Sequence, residues 1–201
     1  LNRAVVLKPG AEYQLVKMKD KLVVLGKALV EKVAAVAESD VELLKTFAAE
    51  HLIGKQVGHP FVEDLSVPII GDGLTSLEDG TACVHSAPGC GPDDYEIGLK
   101  NNLEIYSPIS DDGKYTDEIA PQELAGMPVS DGQIWVIKKL AALDRLFIKK
   151  SLRHSYPHCW RCHGGLIFRA TSQWFCDLSK HNLKNNALGT IDTLKMYPER
   201  G

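Results

Sequence analysis

The chain has 201 residues, 44% hydrophobic and 24% charged, which suits one good-sized folded domain or two small ones. Its net charge of −3 excludes nucleic-acid binding by bulk charge and leaves room only for a local basic face. No apolar run reaches the length of a membrane span, and residues 1–10 lack the core of a signal peptide. No membrane partner is expected, and the cysteine usage implies a reducing, cytoplasmic setting. The five cysteines are odd in number and irregularly spaced, which points to thiol or metal chemistry rather than a disulfide framework. The first residue is not Met, so the chain reads as a piece of a longer protein.

In chain order, residues 4–7, 12–18 and 21–25 are expected to be strands, with Pro9-Gly10 and Lys19-Asp20 as turns. Residues 27–38 change to helical period, with Leu29, Val30, Val33, Val36 and Ala37 on one stripe. Asp40 is expected to cap a second helix through Glu50, with Val41, Leu44, Phe47 and Ala48 inward. Residues 53–83 are broken into short strands by Gly and Pro. A strand over 81–84 then leads through Pro88, Gly89, Gly91 and Pro92 into a helix that ends near Asn101-Asn102. His85 at the strand end and Asp94 at the helix start can face one pocket, or can merely cap and hydrogen-bond a loop.

A polar loop over 106–116 holds an Asp112-Gly113 turn. Residues 133–143 read as an amphipathic helix, 146–152 and 166–170 as strands, and 173–201 as a mixed tail. Strand groups alternating with helices predict an α+β fold, a curled mixed sheet or β-barrel core with peripheral helices.

Cys159 and Cys162 form a C-x-x-C flanked by His158 and His163, a spacing that lets two thiolates share one Zn²⁺. One pair supplies half of a four-ligand site. The competing readings are completion by His, a redox pair, or two idle cysteines in a tight turn. Between Asp144 and Asp177 there is no acidic residue, while Arg145, Lys149, Lys150, Arg153, Arg161 and Arg169 lie there with Tyr156, Trp160 and Trp174. That stretch is either an RNA-facing surface or a solvated face balanced elsewhere. Phosphate-loop, dinucleotide and nucleophile-elbow motifs are absent. Cys90 near His85 is a candidate thiol nucleophile without an orienting third group.

The motif Gly80-Thr81-Ala82-Cys83-Val84-His85-Ser86-Ala87-Pro88-Gly89-Cys90-Gly91-Pro92-Asp93-Asp94-Tyr95 resembles the signature of the editing domain (connective peptide 1) of bacterial-type isoleucyl-tRNA synthetases. That domain is inserted into the class I enzymes for Ile, Val and Leu. Asn2-Arg3-Ala4-Val5-Val6 resembles the strand after the family's Thr-rich segment, and Asp112-Gly113-Lys114-Tyr115 the loop after the motif helix. Residues 154–161 and 168–175 resemble the return toward the catalytic domain. The resemblance covers nearly the whole chain and implies an editing domain over 1–153 and a return segment over 154–201. His85 favours the isoleucine branch, since valine relatives carry Lys there and leucine relatives a small or thioether residue. The alternatives are a valyl or leucyl editing domain, or a non-catalytic zinc- or RNA-binding module around Cys159 and Cys162.

The resemblance implies hydrolysis of valine mischarged onto tRNA(Ile), by an isoleucine–tRNA ligase fragment with aminoacyl-tRNA deacylase activity. A single methylene separates the two amino acids and is worth about 1–3 kcal/mol, a figure known from this very family rather than derived from these residues. In the implied site, Asp94 accepts the substrate's α-ammonium group. His85 lines the pocket, excludes the larger side chain and holds the terminal ribose or a water, which is the nucleophile. Asn2, Thr81, Ser86, Ala87, Pro88 and Gly89 are the further substrate-binding positions implied, with backbone N–H groups of 87–91 supporting the oxyanion. The Thr-rich wall lies before Leu1, and Asn2 is its edge. Editing needs no cofactor. Some full-length relatives hold Zn with two C-x-x-C pairs, of which Cys159 and Cys162 match one, and ATP with Mg serves only the absent catalytic domain. The implied partners are the tRNA(Ile) 3′ end bearing valine, valine or valyl-adenylate, and the rest of the synthetase chain.

Overall fold

The structure is a computed structural model that describes residues 1–151, 153–191 and 193–198. It divides into two compact units, Leu1–Ala170 and Thr171–Gly201. In the first unit the strands are β1 (Ala4–Leu7), β2 (Glu12–Met18), β3 (Lys21–Gly26), β4 (Glu42–Ala48), β5 (Gln56–Gly58), β6 (Ser66–Gly71) and β7 (Val84–Ser86). The helices are α1 (Val30–Ala37), α2 (Pro92–Lys100) and α3 (Val129–Ala142). The second unit holds α4 (Leu183–Ile191).

The strands form two separate sheets, ordered β5-β6-β1-β7 and β3-β2-β4. The α+β class stands, but the barrel expectation does not: neither sheet closes, and each keeps two edge strands. In the first sheet β1 runs parallel to β6 and antiparallel to β7, with Val5 opposite His85 and Val6 opposite Val84. In the second, β2 is central because Lys19-Asp20, both at positive φ, return the chain into β3.

Residues 42–48 are a strand, not the expected helix. The apolar spacing there fits a helical stripe, but β2 offers a second unpaired edge, and pairing with it satisfies the backbone of both strands. The pairing steps from Leu15↔Lys45 to Val16↔Leu43, so Leu44 is the extra residue of a bulge. α1 buries Val30, Val33, Ala34 and Ala37, while Val36 lies outside. It stops where Glu38 turns left-handed at φ 50° and donates its N–H to Ala34 and Ala35 carbonyls. The expected strand over 146–152 is also absent. Phe147 and Ile148 serve packing instead, covering the core between α1 and the three-stranded sheet, and Leu152 lies outside the described residues. Residues 166–170 make single hydrogen bonds to Pro157 and Gly89 rather than a ladder.

Two contacts fasten the sheets together. The Tyr13 hydroxyl, fully buried, donates to the Ala82 carbonyl at 2.8 Å and accepts the Lys8 N–H at 2.9 Å. Gly26 donates its N–H to Thr81 at 2.9 Å, and a Cβ on Gly26 would lie 2.7 Å from that of Ala82. Ala82 itself holds φ 58°. These contacts occupy 81–82 in a turn, which moves the expected strand of 81–84 forward to Val84–Ser86. A third core, Ile109, Tyr115, Ile119 and Leu124, packs against Leu1, Cys90 and Trp135.

Candidate functional site

β7, the turn after it and the start of α2 carry the motif. Gly91 is the N-cap of α2, Pro92 opens the helix, and Asp93 and Asp94 fill its first turn, where carboxylates complement the helix dipole. The turn is set by packing. The Cys90 N–H donates to the Ala87 carbonyl at 2.8 Å, so that N–H does not serve an oxyanion as expected. Ala87, Pro88 and Gly89 are buried. Gly98 lets α2 settle on Pro88, since a Cβ there would lie 2.6 Å from the proline ring.

His85 and Asp94 line different cavities. His85 shares one of about 550 Å³ with Asn2, Leu1 and Tyr115. Asp94 lines one of about 360 Å³ with Val6, Val84 and Thr75. The cause is the pleat of β7, which sends Val84 and His85 to opposite faces. Burial is the largest effect on the Cys90 thiol and raises it, with the Asp94 carboxylate adding and the Ser107 hydroxyl opposing. A thiol raised in this way and packed against the Ile109 and Tyr115 core lacks the activation that the nucleophile reading requires.

The remaining candidates separate. Asn2 joins His85 in one cavity, and its Oδ1 accepts the Ala4 N–H at 3.2 Å. Thr81 lies elsewhere, in a cavity of about 320 Å³ beside α1, with its hydroxyl engaged by Cys83 N–H and C=O. Ser86 is fully buried, and its hydroxyl has no partner among the described residues. Pro88 and Gly89 are support for the turn: Gly89 accepts the Ala170 N–H at 2.8 Å.

Sequence reading missed His59. It begins the β5–β6 loop and lines the His85 cavity. Its Nδ1 accepts the N–H groups of Phe61 at 3.3 Å and Val62 at 3.1 Å. The available signal was Gly58 and Pro60 on either side of it, residues that punctuate a chain into loops. Thr75 was missed beside Asp94; its hydroxyl is buried and unpartnered among the described residues.

In the knuckle, the Cys159 N–H donates to the Gly164 carbonyl and the His163 N–H to the Cys159 carbonyl, each at 2.8 Å. The N–H groups of Cys162 and then Arg161 hold the Cys159 thiol below its ordinary value. A C-x-x-C pair held in such a knuckle fits half of a tetrahedral zinc site. His158 Nδ1 is engaged with the His163 carbonyl at 2.8 Å, and among the described residues no group of three or more His, Cys, Asp or Glu is placed to hold a metal. The basic stretch is partly structural: Arg145 donates to the Pro60 carbonyl, and Arg169 to the Ile109 carbonyl and the Asp111 carboxylate. Trp160 is exposed with Arg161 over its ring at 4.9 Å. Among the described residues no helix is long and apolar enough to cross a membrane.

No protein-family model matches the chain. A solved structure titled as the crystal structure of GlLeuRS-CP1 matches with a TM-score of 0.57 over 72% of this chain and 76% of that one, at 16% identity. The fold is thus that of the editing insertion of class I aminoacyl-tRNA synthetases. In sequence, the isoleucine–tRNA ligase of Fervidobacterium pennivorans is 39% identical over 200 residues, which is all of this chain and 22% of that protein. The isoleucine–tRNA ligase of Lawsonia intracellularis is 39% identical over 191 residues, 94% of this chain and 20% of that protein. The chain belongs to the isoleucyl-tRNA synthetase family, and it spans about a fifth of the length of the curated relatives it matches.

Proposed function

We propose that this segment proofreads for an isoleucyl-tRNA synthetase by hydrolysing the ester of valine mischarged onto tRNA(Ile). The observation that carries the reading is the junction of β7 and α2, which puts His85 beside Asn2 at one cavity and Asp94 in the first helical turn at a second. Asp94, half-exposed in the first turn of α2, takes the α-ammonium group by a charge-assisted hydrogen bond. Val6 and Val84 supply apolar surface beside it for a small aliphatic side chain. His85 and Asn2 hold the terminal ribose or the attacking water from the other side.

The partners of this reading are the valine-bearing 3′ end of tRNA(Ile), valine or valyl-adenylate, and the rest of the synthetase. Ester hydrolysis needs no cofactor. Zinc would be held by Cys159 and Cys162 as two of four ligands, a structural clasp; ATP and Mg would serve aminoacylation outside this segment. The test is deacylation of Val-tRNA(Ile) by the full-length synthetase that carries the segment. The expected result is Val-tRNA(Ile) hydrolysis well above background with Ile-tRNA(Ile) spared, and loss of that selectivity in His85→Ala. Hydrolysis that persists unchanged when the segment is deleted overturns the reading.

A further inference from the structure

The His85 cavity contains a second imidazole with its own fixed orientation. His59 opens the loop between β5 and β6, and its backbone N–H donates to the Leu65 carbonyl at 2.7 Å, closing that loop. Pro60 is held by the Arg145 guanidinium. Phe61 lies edge-on to the His59 ring at 4.7 Å and to Trp135 of α3 at 6.0 Å. The loop that orients the imidazole is thus held from α3 and from the segment after α3.

Its two nitrogens have different fates. Nδ1 accepts two backbone N–H groups, so it carries no proton, and in the neutral ring the proton lies on Nε2. Nε2 has no partner among the described hydrogen bonds, and it is not among the buried unpartnered atoms. The ring lines both the His85 cavity and a neighbouring one of about 590 Å³. Burial lowers the ring's proton affinity to about 4, with the Arg3 guanidinium adding. The charged groups around the second cavity are Lys139 and Arg145 against Glu63 and Asp64; His85 and Tyr115 line the first.

We propose that His59 is a positioning residue of the editing site, a neutral imidazole whose fixed Nε2–H donates to an acceptor oxygen of the aminoacyl-ribose bound beside His85. A donor of this kind in a largely apolar cavity needs no reorganisation when the oxygen gains charge. The proposal rests on the proofreading function above, and it adds a donor from an element outside the β7–α2 motif.

The separating variant is His59→Asn. The Asn amide oxygen replaces Nδ1 as acceptor for Phe61 and Val62, while nothing replaces Nε2–H. In the full-length synthetase, kcat/KM for Val-tRNA(Ile) deacylation is expected to fall at least 10-fold, with aminoacylation and melting temperature unchanged. A fall in kcat assigns the donor to the ester carbonyl, and a rise in KM to the ribose. Wild-type deacylation with His59→Asn within twofold of it overturns the proposal and leaves the proofreading reading intact. Absent wild-type deacylation overturns both. Imidazole ¹⁵N shifts give a readout independent of activity: His59 should show the Nε2–H tautomer at neutral pH, and an Nδ1–H tautomer would overturn the assignment even if the variant folded poorly.

Discussion

A Cβ on Gly89 would stand 2.2 Å from the Tyr106 carbonyl oxygen, so the turn after β7 lies directly against the backbone that follows α2. Gly89 is a position that must be small, and its role is to let two backbones meet. Gly89→Ala forces one of them to move and is expected to destabilise the fold by about 1–3 kcal/mol. A lower urea midpoint at unchanged m-value checks this; an unshifted midpoint would show that the two segments are not in contact.

Tyr13→Phe probes the fastening of the two sheets. The substitution keeps the ring and removes the hydroxyl that both Lys8 N–H and Ala82 C=O use. The buried Ala82 carbonyl and the partly buried Lys8 N–H lose their partner, at a cost of about 1–3 kcal/mol. Chemical denaturation measures it. Because Ala82 precedes β7 by two residues, reduced protection of the β7 amides in hydrogen exchange should accompany the loss.

What the sequence made legible follows from where local signals and tertiary pairing agree. β1, β2 and the start of β3 show alternation or apolar runs bounded by turn residues, and they form as expected. The Asp112-Gly113 turn also forms, with Gly113 at φ 75°. Residues 42–48 misled because Glu, Leu and Lys favour a helix, and only the open edge of β2 decides otherwise. In the site, the motif was visible but its pleat was not. A shift of β7 along the chain decides which side chains share a face, and the tie of Gly26 to Thr81 sets that shift from 55 residues away. His59 reaches the His85 cavity only through the hairpin loop of β5 and β6, which no local spacing reveals.

Asp94→Asn should separate charge from position in the proposed amine site. The amide keeps the shape and loses the anion, so a charge-assisted hydrogen bond worth about 1.5–3 kcal/mol is reduced. Deacylation of Val-tRNA(Ile) by the full-length protein is expected to fall about 10- to 100-fold in kcat/KM. The neighbouring Asp93→Asn, more exposed in the same turn, serves as the control and should change the rate less than threefold. Equal losses at both positions would mean a general helix-start effect.

The thiols should react in an order set by their surroundings. Burial pushes Cys83 up to about 11, and its Sγ contacts the Val24 carbonyl at 3.6 Å. Cys159 is lowered by the N–H groups of Cys162 and Arg161. Since the thiolate is the reacting species, iodoacetamide at pH 7.5 should label Cys159 well before Cys83, as timed mass spectrometry of the native protein would show. Added Zn²⁺ that protects Cys159 and Cys162 together would support their pairing on one ion. Protection of neither would count against the half-site.

His59 also gives stability a pH dependence of known sign. Its proton affinity is about 4 when folded against 6.5 ordinarily, so between these values the unfolded chain binds the extra proton. Stability must then rise with pH across that window, and the contribution present above pH 6.5 is lost as pH falls toward 4. The ring is only partly buried, so solvent screening reduces the size of the effect without changing its direction. His59→Asn removes the titrating group and keeps the acceptor for Phe61 and Val62. Melting temperatures measured from pH 7 to pH 4 should therefore fall less steeply in the variant than in the wild type. Parallel curves would show that the His59 ring is as free to take a proton in the folded protein as in the unfolded chain, and that its Nδ1 is not committed to the loop.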